Sequence, residues 1–192
     1  MEFTGYANRC VKLAVDLVNS ENPVKGNDYL PDRAALSRLL RRHSVSYRRA
    51  ISDTDLKAVR ALRERLRGVF GAGSERAAVE ALNSLLVESG SLPQLTGHDG
   101  EPWHLHFAPQ DAPLAERLAA EAAMGLASIV NEHGFERLRA CERDDCVDVF
   151  VDMSRNRSRR YCNPEVCGNR ASVEAFRARQ RARQRKPQLS PD

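Results

Sequence analysis

Apolar residues recur every three or four positions through most of the chain, and stretches rich in glycine, proline and aspartate separate these segments. This spacing places apolar side chains on one face of a helix. It occurs first at residues 11–18 and again in "DRAALSRLLRRHSV", where Asp32 is a candidate N-cap. In this second segment Leu36, Leu39 and Leu40 are predicted to face the core.

Two further helices are predicted with their end signals. In "SDTDLKAVRALRERLRGVFGAG", Ser52 and Asp55 have capping-box spacing, and Gly71 follows the last apolar position. In "SERAAVEALNSLLVESG", Ser74 is the predicted cap and Gly90 the predicted stop. The apolar face of the first of these helices comprises Leu56, Val59, Leu62, Leu66 and Val69.

The segment "LPQLTGHDGEPWHLHF" has a different pattern, with two short apolar runs flanking Asp99-Gly100, which is a strong hairpin signal. A long helix is then predicted in "DAPLAERLAAEAAMGLASIVNEHG", ending near Gly134. We therefore predict a mainly α protein with a small β-hairpin. Its domains would be a helical domain at 1–135, a separate module at 136–186 and a disordered tail at 187–192.

The net charge of +4 conceals an asymmetry along the chain. Residues 155–186 hold eleven basic and two acidic side chains, a net +9, so the remaining residues carry −5. A basic C-terminal end on a mildly acidic body indicates an anionic polymer or surface as partner of that end. Membrane is the weakest of these partners, because the basic segment offers few apolar anchors beyond Val173 and Phe176.

Other classes of protein find little support in the sequence. No run approaches eighteen apolar residues, and the N-terminus lacks a signal-peptide pattern, so we expect a cytoplasmic protein. There is no glycine-rich phosphate loop, no G-x-S-x-G and no H-E-x-x-H, and we therefore expect a binding protein rather than an enzyme.

The cysteines carry the strongest chemical signal. Cys141, Cys146, Cys162 and Cys167 form two C-x4-C pairs separated by fifteen residues, which is typical of a structural zinc site. The alternative is free buried thiols or two disulfides. The odd number of cysteines and the cytoplasmic expectation disfavour it, and Cys10 is most simply a small buried hydrophobe.

The fifteen-residue gap predicts how the two cysteine pairs meet. "VDVFVD" alternates as a strand, "SRNRS" can turn, and "RRYC" would return as a second strand. A knuckle, a hairpin and a second pair at the head of a helix describe a treble-clef-like finger. Its apolar content is small, so one structural Zn²⁺ would supply much of its folding free energy.

Three residues after the last cysteine are predicted to support the zinc site. Gly168 would provide a positive φ, Asn169 would cap the next helix, and Arg170 would be a counter-ion to four thiolates. Direct contact of these residues with nucleic acid is the alternative.

The remaining arginines are the candidate nucleic-acid-binding residues, because arginine suits bidentate contacts with phosphate and guanine. A solvated or disordered basic tail is the alternative. These candidates are Arg155, Arg157, Arg159, Arg160, Arg177, Arg179, Arg181 and Arg183.

Residues 137–179 resemble the CGNR zinc finger of bacterial, especially actinobacterial, proteins. The resemblance is carried by "CGNR" itself, by "SRNRSRRYC" and by the four cysteines. It extends weakly to the N-terminus through "LAVDLVNS" and "VRALRERLR". It implies an ABATE-type helical domain followed by the finger, and a role as a stress-induced transcription regulator.

A ligand pocket is a further hypothesis for the helical domain. Asp16 and Asn19 share a helix face, and Trp103 and His104 lie on the predicted hairpin. The polar pair could instead bond neighbouring helix ends, and the histidine could be an ordinary surface residue.

The combined prediction is a zinc-binding regulator with DNA as partner, an unknown small-molecule effector and a homodimer as a candidate assembly. An adaptor that binds RNA or protein is the alternative.

Overall fold

The structure, a computed structural model, describes residues 5–47, 49–97, 103–109 and 111–184. It confirms the predicted fold class, since helices dominate this part of the chain and its strands form small antiparallel pairs. The predicted turn at Asp99-Gly100 and the predicted tail at 187–192 lie outside the described residues. Within the described ranges, no helix has the length and apolarity needed to cross a bilayer.

The helices in the described residues are α1 (Gly5–Val18), α2 (Arg33–Arg42), α3 (Asp53–Phe70), α4 (Glu75–Glu88), α5 (Leu114–His133) and α6 (Asn169–Gln184). A 3-10 turn, Phe135–Arg137, follows α5, and a π-helical turn, Pro164–Gly168, precedes α6. The strand pairs are β1 (Glu21–Asn22) with β2 (Asn27–Asp28), β3 (Gln94–Thr96) with β4 (His104–His106), and β5 (Leu138–Ala140) with β6 (Val149–Val151).

Local sequence signals set the helix starts. The Asp32 carboxylate accepts a hydrogen bond from the amide of Ala35, and the Ser74 hydroxyl accepts one from Ala77. Ser52 and Asp55 form the predicted capping box. The predicted caps at Asp32, Ser52 and Ser74 are therefore confirmed, and each satisfies amides that the first helical turn leaves unpaired.

Helix α5 is the centre of the core and packs against α1, α3 and α4. Leu118, Leu126 and Ile129 on α5 are fully buried. A Cβ at Gly125 would lie 2.8 Å from the Cβ of Cys10, so this glycine permits the close approach of α1. Cys10 is buried, as predicted.

The β5–β6 pair also belongs to this core, because Leu138, Val149 and Val151 are buried in the same apolar cluster. The predicted strand in "VDVFVD" is confirmed as β6, but the predicted return strand at 159–162 is wrong. Strand β6 pairs with β5, with Leu138 opposite Val151. Residues on both sides of position 135 thus share one apolar core.

Asp152 explains why no return strand forms. Its side chain has no exposed surface and accepts hydrogen bonds from the amides of Ser154 and Arg159. Burial alone would raise the pKa of Asp152, but these hydrogen bonds and the charge of Arg137 outweigh it and lower the pKa. The carboxylate therefore organises residues 152–159 as a loop.

Candidate metal centre

The four paired cysteines come together at the end of the β5–β6 pair. Cys141 follows β5, and Cys146 lies in the turn that leads to β6. Cys162 ends the loop after β6, and Cys167 lies in the π-helical turn at the head of α6. Their four sulfur atoms all lie within 4.8 Å of one another.

The spacing of the sulfur atoms fits tetrahedral zinc. The Sγ of Cys146 lies 3.7 Å from that of Cys162 and 3.8 Å from that of Cys167, and the Sγ atoms of Cys162 and Cys167 are 3.6 Å apart. A tetrahedron with Zn–S bonds of about 2.3 Å has edges of about 3.8 Å. Four thiolates satisfy the metal completely, so this is a structural zinc site with no open position for catalysis.

Backbone hydrogen bonds hold the ligand-bearing segments in place. The amide of Cys141 donates to Asp148 O at 2.8 Å, and the amide of Cys146 donates to Arg143 O at 3.1 Å. The amide of Cys167 donates to Asn163 O at 2.8 Å.

The head of α6 differs from the prediction. Asn163, not Asn169, supplies the cap: its side chain accepts hydrogen bonds from the amides of Glu165 and Val166. Asn169 already has helical backbone angles, so the predicted cap at Asn169 is wrong. Gly168 does not have a positive φ, and a Cβ there would lie 3.6 Å from the ring of Tyr161.

Two of the four thiols, those of Cys146 and Cys162, resist ionisation in the absence of metal, whereas hydrogen bonds from the backbone of Cys162 and Arg143 outweigh burial and lower the pKa of Cys141. Burial raises the pKa of the Cys146 thiol to about 12 and also raises that of Cys162. Metal binding must therefore displace protons from these sulfurs, and it couples zinc affinity to pH.

A charged network connects the first cysteine pair to α6. The Arg143 side chain is almost fully buried and contacts Asp145 at 2.6 Å and Glu174 at 3.2 Å. The hydrogen bond from Arg143 lowers the pKa of Asp145, and burial opposes this only in part. Arg170, the predicted counter-ion, lies 3.6 Å from Asp145, beside Cys146. Sequence reasoning missed Arg143 and Glu174, although Glu174 is an isolated acid in a basic helix.

Three of the four arginines in the segment 155–160 have partners within the chain. Arg157 forms an ion pair with Glu136, and Arg160 lies 2.5 Å from Glu142. Arg159 lies over the ring of Phe150 at 4.5 Å and donates to the carbonyls of Tyr161 and Cys162. The Arg159 guanidinium therefore holds the backbone of the zinc ligand Cys162 in place.

The other candidate arginines are exposed. Arg155, Arg177, Arg179 and Arg181 have no hydrogen-bond or ion-pair partner among the described residues. The side chain of Arg183 lies outside the described part of the chain. Arg177 and Arg181 are one helical turn apart on the same face of α6.

The structure brings together only part of the predicted ligand-pocket set. Asp16 and Asn19 border a pocket of about 330 Å³ between the end of α1 and α2. Trp103 is not among its lining residues and is 74% exposed, packing against Gly97. The His104 side chain lies outside the described residues.

A closed four-thiolate site at the head of a helix defines a zinc-finger protein. Family models agree: residues 137–180 match the "CGNR zinc finger", and residues 12–132 match ABATE, described as "Putative stress-induced transcription regulator". The chain therefore belongs to the ABATE family and carries a C-terminal CGNR zinc finger, as the sequence predicted. Comparison with curated proteins gives no match.

Proposed function

We propose that the protein is a cytoplasmic transcription regulator that binds DNA through its zinc finger and senses a small effector in its helical domain. The proposal includes no catalytic step. The observation that carries the DNA-binding part is that, within the described residues, the guanidinium groups of Arg177, Arg179 and Arg181 on α6, a helix that begins at the zinc site, have no partner. Arg177 and Arg181 would contact successive phosphates, because they project from one face at adjacent turns.

The loop segment 155–160 contributes less to binding in this proposal. Arg155 is exposed and unpartnered in the described chain, whereas Arg157 and Arg160 would have to leave Glu136 and Glu142 to reach phosphate. Exchanging one ion pair for another gains little. We therefore assign the main phosphate contacts to Arg155 and to the α6 arginines, and Arg159 to the support of the finger.

A second candidate function is an adaptor that binds RNA or protein. The exposed apolar side chains on the finger favour a protein partner: Val166, Val173 and Phe176 are each about half exposed. Apolar groups beside arginines are common at protein interfaces.

The test measures binding of the zinc-loaded full chain to a mixed-sequence DNA duplex, to a structured RNA hairpin and to heparin over a salt series. The proposal predicts DNA binding at least as tight as RNA binding, with an affinity that falls linearly with salt on a log–log plot. Preferential binding of RNA would support the adaptor function. A lack of binding to either nucleic acid would exclude the proposed function and leave a protein partner.

A further inference from the structure

The pocket beside α1 has an apolar floor and a basic rim. Leu30, Ala35 and Leu39 line it and are buried, whereas Arg38 and Arg42 on α2 are exposed. A volume of about 330 Å³ lies within the range of small-molecule sites.

The charges around this pocket favour an anionic ligand. Asp16 is already engaged, since its Oδ2 lies 2.9 Å from Nε2 of the buried His43 and 3.8 Å from Arg42. Arg38 has no hydrogen-bond or ion-pair partner in the described chain. Two guanidinium groups and one carboxylate thus line the pocket, and because Asp16 is paired with Arg42 and His43, the guanidinium group of Arg38 retains its positive charge for a ligand.

Asn19 connects this pocket to the zinc finger. Its side-chain amide donates to Val149 O at 2.9 Å, and its carbonyl oxygen accepts from the Val149 amide at 2.8 Å. These two bonds occupy the edge of β6 that faces away from β5, as a neighbouring strand would. Val149 lies three residues after the zinc ligand Cys146. A side chain at the border of the pocket therefore holds the strand that leaves the metal site.

We propose that this pocket binds a small carboxylate with an apolar body, and that its occupation alters the finger through the Asn19–Val149 pair. The ligand carboxylate would contact Arg38 and Arg42, because the guanidinium group binds carboxylates bidentately. The apolar body would cover Leu39. The carboxylate site stands independently of the proposed function, whereas an effect of the ligand on DNA affinity rests on it.

The test uses the zinc-loaded full chain with benzoate and hexanoate as probes and benzamide as the uncharged control. Two-dimensional NMR would follow the Asn19 side-chain amide and the Val149 backbone amide. Both carboxylates should shift these signals saturably, and benzamide should bind at least about tenfold more weakly. Arg38→Ala should weaken benzoate binding by a similar factor. Arg41→Ala is the matched control, because Arg41 lies outside this pocket and bonds Ser37 on the same helix.

The outcomes separate this inference from the proposed function. The site is rejected if neither carboxylate binds, if benzamide binds equally well, or if Arg41→Ala has the same effect as Arg38→Ala. Coupling predicts that saturating benzoate changes DNA affinity by about fivefold or more, and an unchanged affinity would overturn it. If the protein binds no DNA at all but the NMR shifts occur, the carboxylate site stands and the proposed function fails.

Discussion

Helices α5 and α6 are stabilised by different kinds of interaction. Ten of the twenty residues of α5 are buried, whereas none of the described side chains among the sixteen residues of α6 is buried. A helix of this length is marginal in water by itself, and repulsion between like charges weakens it further. The comparison indicates that apolar burial stabilises α5, while the zinc site and the Arg143–Glu174 pair stabilise the start of α6.

Removal of zinc should have the largest effect, because it should unfold α6 and leave α5 folded. Chelation, or Cys167→Ser, should unfold α6 and the loop at 152–168, because structural zinc contributes about 10 kcal/mol or more to the folding of such modules. Helices α1 to α5 should persist, since their apolar cluster does not include the metal ligands. Hydrogen exchange resolved by residue measures both regions in one experiment.

Cys10→Ser is the matched cysteine control for this prediction. Cys10 is buried against α5 and lies outside the metal cluster, so this variant should keep its zinc and the protection of α6 amides. If α6 amides stay protected in the chelated wild-type protein, the metal does not hold the helix.

Two side-chain truncations, one on α5 and one on α6, test how much apolar burial stabilises each helix. Leu126→Ala on α5 should lower the free energy of unfolding of the helical domain by about 2–5 kcal/mol, because it leaves a cavity in a fully buried site. Phe176→Ala on α6 should change stability by no more than about 0.5 kcal/mol, because this residue is already 55% exposed. Urea unfolding followed by circular dichroism provides both values, and equal losses would refute the contrast.

The junction between the two regions should show an intermediate effect. Asn19→Ala removes the hydrogen-bond partners of the Val149 amide and carbonyl and should lower the free energy of unfolding by about 1–3 kcal/mol. The Val149 amide should then exchange faster than the amides of α5. Asn131→Ala, which changes an exposed asparagine near the end of α5, is the control and should leave Val149 protection as it is.

Acid should weaken the helical domain through Asp28, and this is the smallest effect expected. The hydrogen bond from Arg63 lowers the pKa of Asp28, and burial opposes this only in part. The stabilisation is therefore complete above the unfolded pKa of about 4 and is lost as pH falls through the lower folded value. Between these limits, Asp28→Asn should reduce the pH dependence of the unfolding free energy, and an unchanged slope would contradict this assignment.

Short-range features of the molecule were predictable from sequence. The caps at Asp32, Ser52 and Ser74 act within one helical turn, and the equal spacing of the two cysteine pairs predicted a zinc site. The cap at Asn163 had a signal as well, since proline follows it at the first helical position.

Long-range contacts account for what the sequence did not reveal. Strand β5 was missed because its register depends on burying Leu138 and Val151 against helices that lie far away in the chain. Asn19 and Val149 are 130 residues apart, and no periodicity indicates that one side chain would serve as a strand partner for the other. The Arg143–Glu174 pair also spans 31 residues.

The central claim is that zinc fixes the head of α6 so that its arginines can bind DNA. The most direct test compares the salt dependence of DNA affinity for the zinc-loaded wild-type protein, Arg177→Ala/Arg181→Ala and a control of equal charge, Arg65→Ala/Arg76→Ala. The control arginines pair with Glu88 and Glu80 on the helical domain. The account predicts that the α6 variant binds more weakly, with a log–log salt slope smaller by about two, while the control keeps the wild-type slope. An α6 variant that retains its zinc and matches the wild-type affinity and slope would contradict the account.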